Sequence, residues 1–193
     1  EPLTEDWSVR LYDLEPLAYF PQERGRPLHI GGGADAQDAG VVIVPSTDRH
    51  VRALDAATGE VIWALPTQGP NVAAPVEMDE HLLIASMDGR LYRVRKRNGR
   101  PVWVSDLIGK GAILEAPAVD GDRAFVTSED NRLSAVDLDN GDVIWSRDRP
   151  HRANFPINGQ AGALVTGQHV VTGFSDGRVV AFERSDGATY WSR

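Results

Sequence analysis

The stretch ALDAATGEVIW, residues 53–63, decides the fold because looser copies of it recur: RVRKRNGRPVW at 93–103, AVDLDNGDVIW at 135–145 and AFERSDGATYW at 181–191. Aligned on Trp63, Trp103, Trp145 and Trp191, the copies lie 40, 42 and 46 residues apart. Back from each Trp the register needs no gap. Asp48, Asp88, Asp130 and Asp176 superpose, as do Gly59, Gly99, Gly141 and Gly187, and also Leu54, Val94, Val136 and Phe182. Self-similarity of this kind must be read before local structure, since a missed repeat misassigns the whole fold.

Within one unit the pattern is that of strands. APVEM (74–78), HLLIAS (81–86), RLYRVR (90–95) and PVWVSD (101–106) are short apolar-rich runs separated by Asp-, Asn- and Gly-bearing turns. Asn98–Gly99 and Asp88–Gly89 read as type I′ hairpins, whose two central residues need positive φ. Nineteen Gly and twelve Pro, spread along the chain, fit many short turns. Only DLEPLAYF, 13–20, has room for a helical turn. Four strands per period of this length predict an all-β fold, a β-propeller of four-stranded antiparallel blades with the general architecture of WD40 or YVTN repeats. A sandwich would not repeat its sequence, and a solenoid of this period would be helical or carry one strand per turn. One propeller domain, 1–193, is expected: an N-terminal strand and linker at 1–24, then blades at 25–66, 67–108, 109–150 and 151–193.

Charge and composition exclude several functions. Twenty Lys and Arg against 28 Asp and Glu give a formal charge of −8, which argues against a general nucleic-acid or anionic-membrane surface. With no Cys there is no disulfide, thiolate metal site or Cys nucleophile. No run reaches the roughly 18 apolar residues of a membrane-spanning helix. The chain starts at Glu1 and not at Met, as expected after removal of a signal or trimming.

Written across units, the phrase is A-x-D-x-x-T-G-x-x-x-W. Ala53, Asp55, Thr58, Gly59 and Trp63 meet it fully; Ala135, Asp137, Gly141 and Trp145 meet it with Asn140 in the Thr place; Ala181, Gly187 and Trp191 keep it with Glu183 for Asp. Unit two keeps Gly99 and Trp103 but has Arg93 and Arg95 for Ala and Asp. Over residues 25–193 this resembles the tryptophan-docking motif of the pyrroloquinoline-quinone-type (PQQ-like) propeller repeat. That family includes eight-bladed quinoprotein dehydrogenases and BamB-like outer-membrane assembly lipoproteins. Physically, a Trp on the outer strand can lie flat between blades over a small residue, its indole N–H seeking an acceptor, while Gly permits the preceding turn. The conserved phrase is thus expected to dock blades rather than hold a cofactor.

The dehydrogenases of that family add a vicinal Cys pair, a calcium held by Glu, Asn and Asp, and a catalytic Asp. Here there is no Cys, and no D-x-D-x-D-G, H-E-x-x-H or G-x-S-x-G sequence. The expectation is therefore no catalytic residue, no cofactor and no metal. The resemblance implies a non-catalytic protein-interaction scaffold of the bacterial cell envelope, periplasmic or outer-membrane-associated, that docks partner proteins through its loops. The alternatives are a quinone-dependent dehydrogenase, a catalytically dead relative of one, or a sensor domain of a larger membrane protein.

Trp7, in EDWSVRLYDL, reads as the outer strand of a blade without its three inner strands, so one Trp-bearing strand is left over. Four units are half of eight. The simplest reading is half of an eight-bladed ring, completed by further sequence or by a second copy; a closed four-bladed ring, with Trp7 bound elsewhere, is the runner-up.

Residues that depart from the repeat are the candidates for partner binding. These are Arg93 and Arg95 in RVRKRNGR, Tyr19 and Phe20 in the first long link, and Arg149, His151, Arg152 and Phe155 in the link before unit four. Asp48, Asp88, Asp130 and Asp176, with Arg90, Arg132 and Arg178, fall on one face, where they either shape turns or form a ring for a peptide.

Overall fold

The computed structural model describes residues 7–11, 25–31, 39–149 and 161–193. They form four antiparallel sheets of four strands, each in simple sequence order. Blade 1 comprises β1 (Leu28–Ile30), β2 (Val41–Pro45), β3 (His50–Asp55) and β4 (Val61–Pro66). Blade 2 comprises β5 (Val76–Met78), β6 (His81–Ala85), β7 (Leu91–Arg95) and β8 (Pro101–Val104). Blade 3 comprises β9 (Ala118–Asp120), β10 (Arg123–Ser128), β11 (Arg132–Asp137) and β12 (Val143–Asp148). Blade 4 comprises β13 (Leu164–Thr166), β14 (His169–Gly173), β15 (Val179–Glu183) and β16 (Thr189–Ser192). This is a partial β-propeller.

The middle strands carry continuous apolar runs because both of their faces are covered. In β6, Leu82 and Ile84 point to blade 1 while Leu83 and Ala85 point to blade 3. The fourth strands alternate instead, and Val61 and Ile62 of β4 are half exposed, as expected at the outer rim. The first strands β9 and β13 touch each other, which marks the side where blades converge.

Each core is a seam between two blades. Ile43, Val51, Ala53, Trp63 and Leu65 of blade 1 pack on Leu82, Ile84, Tyr92 and Val94 of blade 2. Leu83, Ala85 and Leu91 of blade 2 pack on Ala124, Val126 and Val136 of blade 3. Phe125, Leu133, Ala135 and Trp145 of blade 3 pack on Val170, Val180 and Phe182 of blade 4. No such cluster among the described residues joins blade 4 to blade 1.

The turns differ from the type I′ expectation. Gly99 and Gly89 have positive φ, at 64° and 80°, but Asn98 and Asp88 do not. Gly99 N donates to Arg95 O four residues back, and Gly89 N to Ser86 O three back. One left-handed Gly closes each of these two turns; the Gly99 turn, between third and fourth strands, follows a β-bulge found at the same place in every blade, between Ala53/Leu54, Arg93/Val94, Ala135/Val136 and Ala181/Phe182. No helix among the described residues is long and apolar enough to cross a membrane.

Candidate functional site

The repeated phrase assembles across blades. Trp63 faces Ala53 on its own sheet, but its indole Nε1 donates to Lys96 O in the next blade at 2.8 Å. Trp103 donates to Leu138 O at 2.9 Å and Trp145 to Arg184 O at 3.2 Å. Each ring lies on the Gly three residues beyond its acceptor. A Cβ on Gly99 would sit 2.5 Å from Trp63 Cε3, on Gly141 2.8 Å from Trp103 Cε3, and on Gly187 2.6 Å from Trp145 Cε3. These Gly residues thus serve twice, for left-handed φ and for the absent side chain. The turn above is shaped by its acid: Asp55 Oδ1 accepts from the N–H of Ala57 and of Thr58, both at 2.9 Å, and from Thr58 Oγ1, while Asp137 Oδ1 accepts from Asp139 N.

Trp7 repeats the arrangement on blade 1. Its Nε1 donates to Ala56 O at 3.1 Å, and its ring covers Gly59. Residues 7–11 are not a strand, since no sheet partner lies beside them among the described residues. The left-over tryptophan is therefore Trp191, whose backbone pairs with Ala181 but whose indole makes no hydrogen bond among the described residues. A four-bladed ring closed by Trp191 would need the slot on Gly59 that Trp7 fills.

Arginines add to two seams. Arg93, at the small-residue position, donates to Leu138 O at 2.6 Å, the carbonyl that also accepts from Trp103. Arg147 lies over the Trp145 ring and donates to Gly187 O and Asp186 O, while Arg123 donates to Arg184 O and Ser185 O. Arg93 thus turns inward and presents no free guanidinium, unlike the exposed Arg95.

At the opposite end of the strands the repeated aspartates of blades 2, 3 and 4 tie their turns to the link arriving from the previous blade, while Asp48 of blade 1 bonds within its own turn and strand, to His50 N and Arg52. Asp48, Asp88 and Asp176 each accept from the backbone N–H two residues on. Asp88 also accepts from Gln68 N, and Asp130 from Lys110 N. Arg149 is spent here as well: it donates to Asp176 Oδ2 from Nε and Nη2 at 3.0 and 2.9 Å and lies over Phe174. Burial pushes Asp48, Asp130 and Asp176 upward, but hydrogen bonds from Arg52 and Ser46, from Ser128 and Lys110 N, and from Arg149 and Arg178 N outweigh it. All three end below the ordinary carboxylate range. Tyr92 is pushed up to about 12 by burial and by its 2.5 Å hydrogen bond to Asp88.

Tyr19, Phe20, His151, Arg152 and Phe155 lie outside the described residues. Among the described residues no group of three or more His, Asp or Glu is placed to hold a metal ion. Sequence reading missed Gly69 and Gly111, where a Cβ would come within 2.6 Å of Asp88 N and 2.8 Å of Asp130 N. Their signal was available, since they stand 42 residues apart in successive links.

Comparison with known proteins bears on this architecture. The family described as "Outer membrane protein assembly factor BamB" matches residues 4–109 and 47–193. The protein of that name from Moranella endobia is 27% identical over 178 residues, 88% of this chain and 46% of the relative. That from Alkalilimnicola ehrlichii is 34% identical over 116 residues, 60% of this chain and 29% of the relative. The crystal structure of BamB from Moraxella catarrhalis superposes with a TM-score of 0.65 at 25% identity, covering 79% of this chain and 48% of that one. The chain spans less than half the length of these proteins.

Proposed function

This chain belongs to the family of the outer membrane protein assembly factor BamB, and from that premise we propose that it is a non-catalytic scaffold of the cell envelope that docks partner proteins in outer-membrane protein assembly. Family membership carries the reading. It is supported by a construction that spends the repeated residues on rigidity: Trp63, Trp103 and Trp145 join blade to blade through backbone carbonyls and glycines. A stiff, stacked framework of this kind holds loops at fixed spacing, which suits recognition of other proteins.

The seams are the glue of the scaffold, and the outward face of blade 4 takes one more blade of the same type. Val171, Val179, Ala181 and Trp191 occupy there the positions that are sealed elsewhere. A ring completed by further polypeptide or by a second copy would give Trp191 the carbonyl and glycine that the other indoles have.

The test is affinity purification of the tagged chain from mildly solubilised bacterial envelopes, read by mass spectrometry. Enrichment of outer-membrane assembly proteins is expected. Recovery of the chain alone, or turnover of an alcohol substrate on adding quinone and calcium, contradicts the reading.

A further inference from the structure

One blade inverts the charge of the repeat. The turn between the third and fourth strands reads DAATGE at 55–60, DLDNGD at 137–142 and ERSDGA at 183–188, but RKRNGR at 95–100. Blades 1 and 3 present two and three carboxylates there with no base; blade 2 presents Arg95, Lys96, Arg97 and Arg100 with no acid.

The exchange sacrifices a local bond. Asp55 and Asp137 hold their turns by accepting backbone N–H groups. The Arg95 side chain has no acceptor to offer, and the blade 2 turn is held instead by backbone bonds, Gly99 N and Asn98 N donating to Arg95 O, Arg95 N to Arg100 O and Lys96 N to Glu80 O, with Arg100 N donating to Asn98 Oδ1. Lys96 pairs with Glu77 at 2.9 Å, but Arg95, Arg97 and Arg100 make no ion pair among the described residues.

The bases also converge. Arg95 and Arg97 line a shallow cleft with Glu80 and His81. Burial and the charges of Arg93 and Arg95 push the His81 imidazole below its ordinary value, against the opposing pull of Glu80 and Asp79. Arg93 Nη2 lies 3.4 Å from His81 Nδ1, which makes that nitrogen the acceptor and leaves the proton on Nε2 as a further donor.

We propose that this cleft and the β7–β8 turn form a docking point for an acidic segment of a partner protein, whose carboxylates meet Arg95 and Arg97. The occupant is narrow. The neighbouring turns carry Asp55 and Glu60 on one side and Asp137, Asp139 and Asp142 on the other, in a chain of net charge −8, so a broad anionic surface such as a lipid bilayer would be repelled as much as attracted. A loop or tail that touches blade 2 alone avoids those turns and meets Arg95 and Arg97 against the single cleft-lining carboxylate of Glu80. The surface lies at the opposite end of the strands from the Asp-bearing turns and does not rest on the assembly reading above.

The probe is fluorescein-labelled hexaglutamate, followed by fluorescence anisotropy on the 193-residue chain, with labelled hexaglutamine and phosphatidylglycerol vesicles alongside. The key variant is Arg95→Asp, which restores the acid of blades 1 and 3 and so keeps or raises the melting temperature. Binding of hexaglutamate is expected, weaker in salt, absent with hexaglutamine, and at least about tenfold weaker in Arg95→Asp and in Arg97→Ser, the loss of a charge-assisted bond. Equal binding by wild type and Arg95→Asp overturns the proposal. So does failure to bind hexaglutamate at low salt, or capture by vesicles without any response to the peptide.

Discussion

The seam between blades 3 and 4 and the outward face of blade 4 are written in nearly the same residues and meet different fates. In the seam Phe125, Leu133 and Ala135 are fully buried and Trp145 is 7% exposed. On the outward face the equivalent Val171 and Trp191 are only part-buried and Val179 is 45% exposed, while Ala181 stays covered. The difference is supplied by the neighbour. A sheet face of this kind becomes core only when the next blade brings a left-handed Gly, a bare carbonyl and an apolar strand to meet it. Docking is therefore a property of pairs of blades.

The widest separation between the two regions is expected from tryptophan. Trp103→Ala removes a ring and an indole bond from a seam and should cost about 3–5 kcal/mol of unfolding free energy, whereas Trp191→Ala should cost under about 1 kcal/mol. Urea denaturation of the two variants measures it; equal losses would mean that blade 4 is already covered.

Glycine sharpens the contrast. Gly141 and Gly177 both have positive φ, at 83° and 80°, but a Cβ on Gly141 meets Trp103 while one on Gly177 meets nothing within 4 Å. Gly177→Ala should show the backbone penalty alone, about 1–2 kcal/mol, and Gly141→Ala about 1–2 kcal/mol more from overpacking. Thermal melts of the pair isolate what the stacked ring demands.

Acid should loosen the turn of blade 1 held by Asp48 and the links to blades 3 and 4 held by Asp130 and Asp176. Asp48, Asp130 and Asp176 titrate below their unfolded-state values near 4. A depressed folded pKa means stability fully present above about pH 4 and lost as pH falls through the folded values. Asp176→Asn should lower stability at neutral pH and flatten the acid limb of the pH–stability curve, as a pH series of melts would show. The smallest effect belongs to the open face, where Val179→Thr should change stability by less than about 0.5 kcal/mol.

Side chains that repeat were legible in the sequence. Trp63, Trp103, Trp145 and the glycines announced four blades and their period. What they touch was not, because the acceptors are backbone carbonyls of Ala56, Lys96, Leu138 and Arg184, and a carbonyl leaves no mark on residue type. For the same reason Trp7 looked unmatched, although Trp191 is the one without a turn to cover. Arg93 read as a surface charge because it breaks the repeat, yet its length lets it reach Leu138 O where Ala could not. Departure from a consensus locates an unusual residue but does not say which way it faces.

The account's central claim is that a neighbouring blade makes each tryptophan a seam. Hydrogen exchange of the five indole N–H groups, followed by NMR on the wild-type chain, tests it most directly. Slow exchange at Trp63, Trp103 and Trp145 with fast exchange at Trp191 is the predicted result. Uniformly fast exchange, or a Trp191 as protected as the other three in the isolated monomer, would contradict it.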